Sequence, residues 1–316
     1  MRTAIARRLG QSLAVLAGVY TATFALLFVL SGDPLTLMIS RNATSVTLTP
    51  AEIAAERADL GLDQALWQQY LSPLWNALHG DLGTSFVSKQ PVTDLIGHAI
   101  GPTLALGLAG LVLGTTVGLL IGALATLPRQ QRLRELVMAI PPLGISIPAF
   151  AVGMVVINLF AFDLKLLPSS GSDGFDSLVL PAATLALPIA ATVAQVFERS
   201  LRTELAQPYA EMAYAKGASR TRVIVRHALR NAAAPTVTAV GLTAGNLLGG
   251  AVVVETVFAR DGLGRLLVNA VTDLDISVVQ AIVMLSAVAF LTINLLVDLL
   301  YPLLDPRIAH REEVGS

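Results

Sequence analysis

Six separated stretches of this chain are mostly apolar over about 20 residues or more, the length needed to cross a bilayer as a helix. They lie near residues 9–31, 100–126, 136–162, 178–197, 236–258 and 277–303. With no water in the hydrocarbon, backbone amides must bond within their own segment, so such stretches predict helices and an all-α membrane protein. Composition points the same way: 54% of residues are hydrophobic and 14% charged. A water-facing surface normally requires about 25% charged residues. The first stretch follows Arg2, Arg7 and Arg8 and runs from Leu9 to Leu30. It exceeds the ~7–15 residue core of a cleaved secretory signal, so it is expected to stay as the first span.

Lysine and arginine accumulate on the cytoplasmic side of membrane proteins. One set of connections carries 15 of them, seven between Arg199 and Arg230; the other carries six, Arg41, Arg57, Lys89, Lys165, Arg260 and Arg265. Both termini are therefore expected in the cytoplasm. The resulting organisation is a cytoplasmic N-terminus with the first span (1–31), an extracytoplasmic segment (32–99), a five-helix core (100–303) and a cytoplasmic tail (304–316). The core includes a basic cytoplasmic loop at 198–235. In the outer segment, Thr49-Pro50-Ala51-Glu52 has the chemistry of a helix start.

Gly110, Gly114, Gly118 and Gly122 recur every four residues, and Gly241, Gly245 and Gly249 repeat the pattern. Both sets mark faces for close helix packing. Pro141, Pro142 and Pro148, with Pro181 and Pro188, remove backbone donors and disfavour straight helices. Intramembrane charge is sparse. Glu255 and Asp298 are placed near helix ends within reach of an interface, a poor basis for a proton relay. Asn158, Gln195, Asn246, Gln280 and Asn294 are candidates for interhelical bonds or for the wall of a passage. Asp81, Gly83, Glu255, Gly262 and Gly264 are candidate outer docking or gate residues, the glycines suiting tight turns.

Other chemistry is missing from the sequence. The chain has no cysteine. No lysine follows a glycine, as a phosphate-cradling P-loop requires. His79, His98, His227 and His310 are scattered, without a HExxH zinc pattern. No catalytic, cofactor-binding or metal-binding residues are expected, and any ATP is expected to be spent by another subunit.

The segment from Pro208 to Pro235 reads PYAEMAYAKGASRTRVIVRHALRNAAAP. Its periodicity predicts two short helices around Gly217, with Ser219 able to cap the second. A basic loop that merely obeys the topology rule is the alternative. This segment resembles the EAA-type loop of binding-protein-dependent permeases, in the peptide and nickel branch of ATP-binding-cassette importers. Glu211, Ala213 and Gly217 match the motif; Met212 replaces its second alanine, and His227-Ala-Leu229 stands where the general pattern has Ile-x-Leu-Pro. Leu60-Gly-Leu-Asp63, Gly80-Asp-Leu-Gly-Thr-Ser85, Val254-Glu255-Thr-Val-Phe258, Gly262-Leu-Gly264 and Leu304-Asp-Pro-Arg307 are similar to further stretches of that branch.

The resemblance implies a type I ABC importer (MetI-like) permease fold in the bacterial inner membrane. It also implies a heteromeric machine: a second related permease, one or two ATPase subunits holding ATP and Mg, an extracytoplasmic solute-binding protein, the lipid bilayer and no nucleic acid. Glu211, Ala213, Ala215, Gly217, Ala218, Arg220 and Arg222 would form the contact with the ATPase. Di- or oligopeptides are the leading solutes; nickel or another metal chelate, glutathione and opine-like solutes are alternatives. An ion-coupled secondary transporter and an integral-membrane enzyme are the competing classes.

Overall fold

A computed structural model describes residues 2–30, 49–59, 61–127 and 130–304. Readings made at 31–48, Leu60, Arg129, the Asp298 side chain and the tail from 305 onward lie outside the described residues. The described chain is helical: α1 (Arg2–Phe24), α2 (Pro50–Asp59), α3 (Leu66–Leu78), α4 (Val92–Thr126), α5 (Gln131–Met138), α6 (Ile140–Ser146), α7 (Ala149–Ile157), α8 (Asp176–Leu205), α9 (Pro208–Ala215), α10 (Arg220–Val223), α11 (Leu229–Val257), α12 (Leu263–Thr272) and α13 (Ile276–Leu304). Wider π-helical turns continue α1 over Ala25–Leu30, follow α7 over Asn158–Asp163 and join α10 to α11 over Ile224–Ala228.

Among the described residues, five segments are long and apolar enough to span a membrane: Gly10–Leu27, Val92–Thr126, Asp176–Leu205, Arg220–Val257 and Ile276–Val297. The expected third span differs. It is a broken pair, Gln131–Ser146 and Ala149–Asp163, bent by 99°. The break falls at Ile147-Pro148, where extended backbone (φ −91°, ψ 126° at Ile147) precedes a proline that cannot continue the helix. Pro181 and Pro188, by contrast, sit inside an uninterrupted α8. The predicted 198–235 loop is also mostly helix, because α8 runs on to Leu205 and the next span starts at Arg220, with Pro235 inside it. Helix α4 begins at Val92, inside the segment expected to lie outside the membrane.

Two compact units divide the chain, Met1–Gly101 with Gly262–Ala289, and Pro102–Asp261 with Phe290–Ser316. In the first, Val92, Ile96 and Ala99 present one face of α4 to Leu263 and Ala270 of α12 and to Val278, Val279 and Ile282 of α13. In the second, Leu106, Leu180, Leu185, Val254 and Phe258 form one core, while Phe197, Leu201, Ile224, Ala228 and Ala232 form another.

The glycine ladder of α4 makes a close helix contact in the second unit. A Cβ at Gly110 would lie 2.9 Å from Leu185, at Gly114 2.7 Å from Ile189, at Gly118 2.7 Å from the Ala190 carbonyl and at Gly122 2.9 Å from Phe197, all on α8. Four successive turns of α4 thus lie against α8 at a separation only hydrogen side chains allow. The α11 set follows the rule in part: Gly241 packs on Val297 and Gly245 faces Phe290 and Asn294, whereas Gly249 meets open space.

Candidate functional site

Between α8 and α11 the chain leaves its long helices for a short, projecting pair. Helix α9 opens with Pro208 at its first position, where no amide donor is needed. Gly217 ends it at φ +81°, and Ser219 accepts from the Arg222 amide at 3.4 Å to start α10. The base of this pair is pinned on both sides. Glu204, near the end of α8, accepts from the Tyr209 hydroxyl at 2.6 Å and from Asn231 Nδ2 of α11 at 3.0 Å. Burial and the adjacent Glu204 charge push the Tyr209 phenol up, keeping it a hydrogen-bond donor. Beneath it, Ala210, Val223 and Ile224 are buried.

Above that base, Glu211, Met212, Tyr214, Ala215, Lys216, Gly217 and Arg222 are exposed, with Met212 60% accessible. Ala213 and Ala218 are half-buried. The result is an apolar and charged ridge on a fixed footing, suited to enter a cleft in another protein. Arg220 departs from its expected role. Its Nε donates to the Thr126 carbonyl at the end of α4, at 3.1 Å, so it ties the ridge to this chain.

In the first unit, Asp81, Gly83 and Gln280 converge on a cavity of about 340 Å³, with Gln64, Gln69 and Asn76 on its wall. Gly80 and Gly83 take left-handed φ values of +86° and +78°, and Asp81 accepts from the Gly83 amide at 2.9 Å. Sequence reasoning missed what holds this turn. Asp275, buried, accepts from the Ser85 hydroxyl, from the Phe86 amide at 3.1 Å, from the Val87 amide at 3.5 Å and from the Val278 amide at 3.4 Å. It both caps α13 and anchors the 85–88 turn. An aspartate immediately before an apolar helical run was the available signal.

Glu255 requires a correction. It stands near the end of its span, as expected, but offers no docking surface: it is fully buried in the second unit and accepts from Thr103 at 2.7 Å. Arg260, also buried, donates to the Ser177 carbonyl at 2.9 Å and the Gly171 carbonyl at 3.3 Å. Burial holds the Arg260 guanidinium below its ordinary value, opposed by the Glu255 charge. The turn here also differs from expectation. Ala259 takes the left-handed φ of +49°, while Gly262 is extended ahead of α12 and Gly264 lies within it.

Residues 114–310 match the binding-protein-dependent transport system inner membrane component family. The chain belongs to that family. It is 41% identical over 288 residues to the glutathione transport system permease protein GsiC of Escherichia coli O6:H1, covering 91% of this chain and 92% of that one. Against the GsiC of Salmonella paratyphi A the identity is 39% over 307 residues, with 97% and 99% covered. The fold matches the MetNI methionine ABC transporter in an inward-facing form, with TM-score 0.58 and 22% identity, covering 66% of this chain and 96% of that one. An amino acid ABC transporter structure matches at TM-score 0.54 and 16% identity, covering 66% and 94%. The chain is therefore a multi-pass permease of a binding-protein-dependent ABC importer, with the type I fold.

Within this permease, the polar residues expected between helices take different places. Asn246 donates to the Leu242 carbonyl of its own helix at 3.1 Å instead of crossing to another. It lines a cavity of about 430 Å³ between α8 and α11, together with Pro188, Thr192 and Thr243. Asn294 faces Gly245 across the α11–α13 contact. Asn158 starts the π-helical turn after α7, and Gln195 is half-buried on α8.

Proposed function

We propose that this permease supplies half of a passage for a short peptide, with glutathione the foremost solute, and that a separate ATPase drives it by alternating access. The identity of about 40% over nine-tenths of both chains to glutathione permeases carries the solute reading. The projecting α9–α10 pair carries the coupling reading. ATP and Mg reside in ATPase subunits, a second related permease completes the passage, and an extracytoplasmic binding protein delivers the solute. The termini and the α9–α10 ridge face the cytoplasm, following the bias of basic residues.

Glu211, Ala213, Ala215, Gly217, Ala218 and Arg222 form the docking contact, while Arg220 braces it from behind. Movement of the ATPase pair displaces the ridge, and the Glu204, Tyr209 and Asn231 contacts pass that displacement to α8 and α11, which flank the Asn246 cavity. A Cβ at Gly217 would meet nothing within 4 Å, but its φ of +81° strains any other residue, so Ala215→Glu, exposed and helical, is made beside Gly217→Glu to separate strain from lost docking. Both are expected to abolish solute-stimulated ATPase activity while the complex still assembles in the membrane; unimpaired stimulation would overturn the coupling assignment. The solute is tested by uptake of labelled glutathione and of a labelled dipeptide in cells with and without the gene. Glutathione uptake that survives deletion, while dipeptide uptake is lost, would move the assignment to ordinary peptides.

A further inference from the structure

Helix α3 is unlike any other extramembrane helix of this chain. Its sequence, LWQQYLSPLWNAL, contains no charged residue. Trp67, Leu71, Trp75 and Leu78 recur at spacings of four, four and three, which places them on one face. They are 64%, 50%, 64% and 75% accessible. The other face is polar: Gln69, Ser72 and Asn76 line the 340 Å³ cavity with Asp81 and Gln280.

The depth of this helix follows from its contacts with α1. The Tyr20 hydroxyl donates to the Tyr70 carbonyl at 2.6 Å, and the Thr21 and Tyr70 hydroxyls are 2.8 Å apart. The Tyr70 ring meets Tyr20 and Phe24 edge-on, at centroid distances of 4.9 and 5.2 Å. Tyr20 and Phe24 both belong to the membrane-crossing segment Gly10–Leu27. The apolar helix continues to Leu30, so at 1.5 Å per residue Phe24 lies about 9 Å inside its end and Tyr20 about 15 Å. An amphipathic helix lying in a membrane interface buries its apolar face about 5–10 Å, which is the depth of Phe24.

We propose that α3 lies in the membrane–water interface at the C-terminal end of α1, with Trp67, Leu71, Trp75 and Leu78 in the lipid. Under the proposed topology this is the outer leaflet. The absence of charge fits a helix held by apolar area and indole anchoring, the role tryptophan plays in interfacial belts, and not by attraction to anionic headgroups. The helix then separates lipid on one side from the amide-lined cavity on the other.

The chain has two tryptophans, Trp67 and Trp75, so its indole emission reports on this face alone. The transporter is purified through a tag on this chain and reconstituted into phosphatidylcholine vesicles with brominated acyl chains. The emission of interest is the difference between the native complex and one carrying Trp67→Phe with Trp75→Phe. Brominated lipid is expected to remove about half of that difference emission or more, with bromines near the glycerol quenching better than bromines near the chain end. Iodide in the water is expected to leave it nearly unchanged. Quenching by iodide and not by lipid would place the face in water, and quenching by neither would assign it to a protein partner; either result overturns the proposal. The single variants Trp67→Phe and Trp75→Phe show whether both indoles share the depth.

Discussion

Around Asp275 a buried carboxylate gathers a hydroxyl and three backbone amides from two parts of the chain; along Gly110–Gly122 nothing polar holds α4 to α8. The first arrangement organises the unit that contains the outer segment, where turns between short helices need directional bonds to fix them. The second organises the unit made of long spans. Between apolar helices in lipid there is no hydrophobic drive to associate, so close contact of backbones does the work. One chain thus uses polar specificity where it loops and steric fit where it crosses.

The sharpest way to break this contrast is to add volume to the seam. Gly118→Leu would drive its side chain into the Ala190 carbonyl and Val193, backbone and branched carbon that cannot move aside. It is expected to prevent accumulation of folded permease, and Gly118→Ala is expected to cost about 1–3 kcal/mol, read as a lowered melting midpoint in detergent. Gly107→Ala, on the same helix with nothing within 4 Å, should stay within about 0.5 kcal/mol of the parent. Equal effects at the two positions would refute the seam.

The polar counterpart is Asp275→Ala, expected to cost about 2–3 kcal/mol by leaving several donors unpaired and removing the α13 cap. Proteolysis between residues 79 and 91 should accelerate in this variant. Asp275→Asn retains part of the acceptor set and should fall between. Smaller still is Tyr209→Phe, where loss of one bond to a half-buried carboxylate is expected to cost about 1 kcal/mol. The folded-state phenol is raised, so its contribution is complete below the ordinary tyrosine value and disappears as pH climbs through the raised one. Its effect should appear as weaker ATPase stimulation, because Tyr209 links the ridge to α8.

Period and breaker chemistry made most of the fold legible. The glycine spacing identified the α4 seam, and Gly217 and Ser219 marked the break between the projecting helices because each acts within its own turn, Gly217 through its backbone and Ser219 through its hydroxyl. Tertiary arrangement was less accessible. Pro148 breaks its helix and Pro188 does not, although both sit in apolar runs; α8 is packed on several sides, and that packing sustains a helix through a missing donor. Arg220 was expected in the contact with the ATPase, and only the fold brings the Thr126 carbonyl within 3.1 Å of its Nε. Glu255 looked accessible near a helix end, yet its neighbours are Thr103, distant in sequence, and a buried arginine.

The smallest effect tests the polar half of the contrast at its most local. Thr49 and Glu52 form a reciprocal cap on α2: Glu52 accepts from the Thr49 amide at 2.7 Å and from its hydroxyl at 2.8 Å, while the Glu52 amide donates to Thr49 Oγ1 at 3.4 Å. These bonds hold the Glu52 carboxyl below its ordinary value, the backbone bond foremost. A lowered folded-state value means that the cap stabilises α2 above the ordinary glutamate range and is lost as pH falls through the depressed one. Amide exchange over Glu52–Arg57, corrected for intrinsic rates, should therefore speed up on acidification in the native chain. In Glu52→Gln that pH dependence should vanish, because the neutral amide retains the acceptor at every pH; a dependence that persists would place its source outside the cap.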